Sequence, residues 1–178
     1  MRLSKNFTLK ELVQSQTAAR KGINNNPSED QIEGLQRLCE NILQPIRDQF
    51  GMPVTVTSGF RSAQLCTAIG SSVNSQHAKG QAADFEIFGL SNQELAHWID
   101  KNLDYDQMIL EFWNPDEKNS GWVHCSYKNP KENRKQFLRA YRNDEGKTCY
   151  EEYSYIQYAG KEPDKEEIDN MMINHRSN

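Results

Sequence analysis

No stretch of this 178-residue sequence is apolar for long enough to cross a bilayer, which takes about 20 apolar residues in a row. The N-terminus, MRLSKNFTLKELVQ, starts basic but lacks the apolar segment of a secretory signal, so synthesis in a cytoplasm without that export route is expected. An excess of one charge is also missing. Net charge is -4, and Lys and Arg are scattered apart from KENRKQFLRAYR at 131–142. That stretch reads as a solvated strand and turn, and nothing in the balance points to nucleic acid. The four cysteines, Cys39, Cys66, Cys125 and Cys149, form no CxxC pair, which argues against a Cys-only zinc cluster. Free, mostly buried thiols are expected. There is no internal repeat, so a solenoid is excluded. What remains is a polar, soluble chain with a mean hydropathy of -0.88 and room for one ordinary core.

The elements that are present have clear punctuation. In FTLKELVQSQTAAR, Thr8 with Glu11 makes a capping box, and a helix over about 8–20 is predicted. KGINNNP ends it. The strongest helix follows Ser28, with Ile32, Leu35, Leu38, Cys39, Ile42, Leu43 and Ile46 on one stripe. Pro45 should kink or break it near its last turn, and Gly51 stops it. PVTVTSGFR alternates like a strand ending at Gly59, and SAQLCTAIG reads as a short helix. AADFEIFG is a strand, and SNQELAHWIDKNL is a helix with a second capping box, Ser91 with Glu94. YDQMILEFW and GWVHCSY are strands, and KQFLRAYRNDEGKTCYEEY is a hairpin around NDEG. This order predicts an α+β domain over residues 1–159, with helices packed on a mostly antiparallel sheet. Residues 160–178 read as a polar tail. A monomer is expected.

The chemistry concentrates in NSQHAKGQAADFEI, residues 74–87. Asp84 stands where a core strand begins, and a buried carboxylate needs a partner. His124 sits mid-strand in GWVHCSY, where its ring nitrogens must be satisfied. Either these are ordinary paired polar residues, or His77, Asp84 and His124 hold a metal ion. Three protein ligands leave a fourth tetrahedral position for water, the arrangement of catalytic zinc. Hydrolysis would also need a base and a cation for the developing oxyanion. Glu111 in DQMILEFW is a carboxylate where an apolar residue is expected, on a face shared with Gln107, Ile109 and Trp113. Arg61 lies just past a strand end at a glycine turn. His97 reads as a surface or interface residue, and His175 falls in the tail.

SGFRS, SQHAKGQAADF and GWVHCS together resemble the zinc D-alanyl-D-alanine carboxypeptidase family of peptidoglycan peptidases, whose fold is shared with the Hedgehog signalling domain. Ser75, His77, Gly80, Ala82 and Asp84 match every fixed position of its signature Ser-x-His-x-x-Gly-x-Ala-x-Asp. The resemblance spans about residues 5–128. It implies Zn2+ held by His77, Asp84 and His124, with Arg61 polarising the substrate carbonyl or binding its carboxylate. It implies a peptidase acting on the peptide stem of bacterial peptidoglycan, as carboxypeptidase or endopeptidase. A phage or prophage lysis enzyme released to the wall, or a virion-associated one, is the matching role. Many relatives carry an acid in Asp-x-x-His or Glu-x-x-His before the second zinc histidine, whereas here position 121 is Gly. Glu111 is then the candidate base, ahead of Asp116 and Glu117. Ser75 or Gln76 is expected to orient the ligands, and Trp113 or Trp122 to wall the cleft. The competing reading is a non-catalytic module that keeps the zinc site and binds wall or protein.

Overall fold

The computed structural model describes residues 1–117 and 119–158; His175 and the 160–178 segment lie outside them. Its centre is one six-stranded sheet. The strands are β1 (Thr55–Ser58), β2 (Ala82–Glu86), β3 (Gln107–Glu111), β4 (Trp122–Ser126), β5 (Gln136–Arg142) and β6 (Thr148–Glu152), in spatial order β1-β2-β4-β3-β5-β6. All neighbours run antiparallel except β3 and β5, which pair in parallel. The helices are α1 (Leu9–Val13), α2 (Gln16–Lys21), α3 (Glu29–Leu38), α4 (Gln44–Phe50), α5 (Ala63–Ile69), α6 (Asn92–Asn102) and the short α7 (Tyr155–Tyr158). The expected α+β architecture is what forms.

Alternation divides the sheet into two faces. Ala83 and Phe85 of β2, Met108 and Leu110 of β3, and Val123 and Cys125 of β4 are fully buried in one core with α3, α4 and α6. Asp84, His124, Ile109 and Glu111 stand on the other face. Cys39, Cys66 and Cys125 are buried free thiols, and Cys149 is partly buried and also free.

Local departures from the periodic reading have identifiable causes. The helix predicted over 8–20 is two helices, with Ser15 capping the second. The Leu12 carbonyl accepts from Phe60 N at 2.7 Å and the Val13 carbonyl from Asn25 Nδ2 at 2.8 Å. Carbonyls that a continuing helix would use for itself are taken by the next layer of structure. The long helix after Ser28 runs on through Pro45, with a change of hydrogen-bond pattern just before it. A π-helical turn spans Cys39–Leu43, with Gln44 N–H donating back to the Cys39 carbonyl, and α4 restarts there. Pro45 then occupies the first turn of α4, where its missing N–H is not needed. At the end of β3, Phe112 adopts a left-handed φ of 53° and interrupts the alternation. Trp113 therefore turns into the core instead of sharing the face of Glu111. His97 is also a correction: it is buried, with Nε2 2.7 Å from the Tyr153 hydroxyl. The residues that cover it, Tyr153 and Tyr155, are remote from it in sequence.

Candidate metal centre

His77 is delivered by a tight turn, Asp84 by β2 and His124 by β4. Asp84 and His124 are direct cross-strand partners, so the sheet register alone brings the two side chains together. The turn carrying His77 is pinned against α3. Gln31 completes the capping box of α3 and also donates from Nε2 to the Ala78 carbonyl at 2.8 Å. Gly80 has φ +69°, and a Cβ there would lie 2.3 Å from the Gln31 carbonyl oxygen, so only glycine fits between turn and helix.

All three side chains are buried. His77 Nε2 lies 3.2 Å from His124 Nδ1 and 3.3 Å from Asp84 Oδ1, and His124 Nδ1 lies 2.9 Å from the same oxygen. His77 Nδ1 is 2.7 Å from the Gly59 carbonyl, which can only accept, so Nδ1 carries the proton. Burial holds the His77 ring below its ordinary pKa, outweighing the pull of Asp84, and keeps it neutral. Its Nε2 is then a lone pair that faces a carboxylate oxygen. Two acceptors at this distance repel unless a cation lies between them. The triangle also has the right size: tetrahedral ligand atoms about 2.0–2.1 Å from zinc stand roughly 3.3 Å apart. These residues form a group able to hold a metal ion.

Arg61 is partly buried beside the centre. Its Nη2 donates to Asp84 Oδ2 at 2.5 Å and its Nε to Ser58 Oγ at 2.8 Å. It thus grips the carboxylate oxygen that does not face the histidines. Glu111 is half-buried one strand away, paired with Trp122 and diagonal to His124. It lines the same open cavity of about 890 Å³ as Arg61 and the His77–Asp84–His124 group. Burial raises the Glu111 pKa, and the Asp84 charge adds to the effect. Asp116 and Glu117 are exposed in the loop after β3 and do not line this cavity.

Gly121, the residue where the acid of Asp-x-x-His would stand, is closed to any side chain. Its φ is +66°, and a Cβ would lie 1.9 Å from the Glu111 carbonyl oxygen. The expected ligand-orienting roles of Ser75 and Gln76 fall elsewhere. Ser75 Oγ accepts from Ala78 N at 3.3 Å and stabilises the turn, while Gln76 Nε2 donates to Asp106 Oδ2 at 2.6 Å. The groups that touch the ligands are the Gly59 carbonyl and Arg61. Trp122 walls the cavity, packed on Phe112 with ring centroids 5.4 Å apart.

Three residues at the edge of the cavity escaped sequence reading. Asp106 is fully buried and holds Lys128 and Arg134. Its signal was present in LDYDQMIL, a carboxylate entering a core strand, as at Asp84. Arg134, in the stretch expected to be solvated, is exposed, and the parallel pairing of β5 with β3 that follows it sets it beside Asp106.

A search of curated proteins finds no match to this chain. Residues 5–126 match the family described as Peptidase M15, a span that runs from the first helix through β4 and includes every residue of the metal centre. A His-Asp-His group on that span is what a metal-dependent peptidase requires, and the chain belongs to the Peptidase M15 family of zinc D-Ala-D-Ala carboxypeptidase-like peptidases.

Proposed function

We propose that this protein is a zinc-dependent peptidase that hydrolyses the peptide stem of bacterial peptidoglycan, in the role of a phage or prophage lysis enzyme. The observation that carries the reading is the convergence of three lone-pair donors in one cavity with an arginine and a raised-pKa carboxylate.

His77, Asp84 and His124 would hold the zinc ion. Bound there, zinc supplies Lewis acidity and lowers the pKa of water toward about 7. Glu111 accepts the proton of the attacking water at its carboxylate and hands it to the leaving amine. A pKa raised by burial suits both halves of that transfer, because the same group must be a base and then an acid near neutral pH. Arg61 has donors beyond those used on Asp84 and Ser58, and these meet the oxyanion that develops on the substrate carbonyl. Trp122 and Phe112 shield the Glu111 end of the cavity from water.

Among the two modes of stem cleavage, one observation favours endopeptidase action. A second cavity, of about 540 Å³ between α2 and β1, meets the first at Arg61 and Ile69. Space for substrate therefore continues beyond Arg61. No helix among the described residues is long and apolar enough to cross a membrane.

Metal analysis together with digestion of purified peptidoglycan, read by mass spectrometry, tests the proposal. One bound zinc and a new amine on D-Glu are expected; free D-Ala would mark carboxypeptidase action instead. Stoichiometric zinc with neither product released would overturn the enzyme reading in favour of a non-catalytic zinc module.

A further inference from the structure

Asp106 has more positive charge around it than its own burial needs. Arg134 alone meets it bidentately, Nε to Oδ1 at 2.8 Å and Nη2 to Oδ2 at 2.7 Å, and Gln76 adds a third donor at 2.6 Å. A buried carboxylate so held is already neutralised. Lys128 nevertheless places its ammonium 3.2 Å from Oδ1 as a second cation. Asp106 is wholly enclosed, whereas the Lys128 and Arg134 side chains are 29% and 49% exposed, and both line the cavity of the metal centre. One carboxylate against two cations leaves one positive charge uncompensated, and it faces the cleft.

Its place beside the sheet is defined. Ile109 pairs with His124, and Asp106, the residue just before β3, precedes Ile109 by three residues. At about 3.3 Å per residue that is roughly 10 Å from the metal centre. An extended peptide covers this distance in about three residues. The Lys128–Arg134 end lies opposite the Glu111 end, with His124 between them.

We infer that Lys128 and Arg134, braced by Asp106, form a subsite for a carboxylate of the substrate peptide, two to three residue lengths from the scissile bond. The inference rests on the peptidase reading and deepens it: the preferred stem is one that carries a free carboxylate there, and an amidated stem is disfavoured. Lys128 is the residue to change, since Arg134 also holds Asp106 in place.

The test uses the full-length zinc-loaded protein and a synthetic peptidoglycan stem peptide, compared with versions amidated at one carboxylate at a time. For the wild type, one amidation should lower kcat/KM about tenfold, with the other versions unaffected. Lys128→Met should lose about tenfold on the free acid and nothing on that amidated version, so the preference vanishes. Equal losses on all peptides, or a wild type indifferent to every amidation, would overturn the subsite. If the wild type cleaves no peptide, the peptidase reading fails, and calorimetric binding of the same peptides decides the subsite by itself. Tighter binding of the free acid that disappears in Lys128→Met supports it; equal or absent binding overturns it.

Discussion

Two buried histidine environments lie on opposite sides of one sheet. On the core side, His97 is packed among Tyr153 and Tyr155 and has one hydrogen-bond partner for Nε2, the Tyr153 hydroxyl, which can donate or accept as needed. On the cleft side, His77 and His124 crowd the same carboxylate oxygen, and the Gly59 carbonyl fixes the His77 proton on the far nitrogen. Both sites are buried and both contain polar atoms. Only on the cleft side does a ring nitrogen without a proton, His77 Nε2, face a carboxylate oxygen. Burial of a histidine is therefore no mark of function in this fold; unresolved convergence of acceptors is.

The sharpest way to break the comparison is to remove the convergence. Asp84→Asn leaves the shape but takes away the shared oxygen's charge. Bound metal should be lost and turnover should fall about ten-thousandfold or more, the scale on which removing a member of a catalytic unit acts. Metal content and peptidoglycan release report both, and a variant that keeps its metal and its activity would refute the site. Glu111→Gln should keep the metal and lose about a hundred- to a thousandfold in kcat. In the wild type, the acid limb of the kcat/KM profile should lie above the ordinary glutamate range, because burial favours the protonated form and activity needs the ionised one. A limb at the ordinary value would detach Glu111 from the chemistry. Arg61→Lys breaks the planar grip on Asp84 and Ser58 and should weaken zinc about ten- to a hundredfold, measured by competition with a chelator.

His97 should behave in the opposite manner, with a small effect on stability and none on turnover. Burial lowers its pKa from 6.5 to about 4. The unfolded chain therefore takes up the proton first as pH falls. The stability contribution is full above pH 6.5 and is lost between 6.5 and about 4. At pH 5 the loss is about 2 kcal/mol. His97→Gln should flatten that dependence in urea unfolding while costing about 1–2 kcal/mol at pH 7. An unchanged pH slope would show that His97 is not the group responsible.

What the sequence made legible follows from how local each feature is. The capping boxes at Thr8 and Ser91 and the cap at Ser28 all form, because each is decided within four residues. The hairpin around NDEG also forms, closed by Gly146 N–H to the Asn143 carbonyl. Asp84 and His124 are legible as polar residues on core strands and His77 through the signature it shares with Asp84, and the structure brings the three together. The ligand partners were not legible. The Gly59 carbonyl is an atom of the backbone, and Arg61 reaches Asp84 through a strand pairing that spacing does not reveal. Phe112 escaped for a related reason: nothing in its side chain announces a left-handed backbone.

The closed contact at Gly121 carries a lesson for anyone who would redesign this enzyme. Installing an aspartate there to recreate Asp-x-x-His would not transplant a base. It would drive a side chain into the peptide unit of Glu111 and displace the acid already present. Positions 111 and 121 thus form a single unit of exchange, and swapping the location of the acid requires grafting both arms of the β3–β4 connection at once.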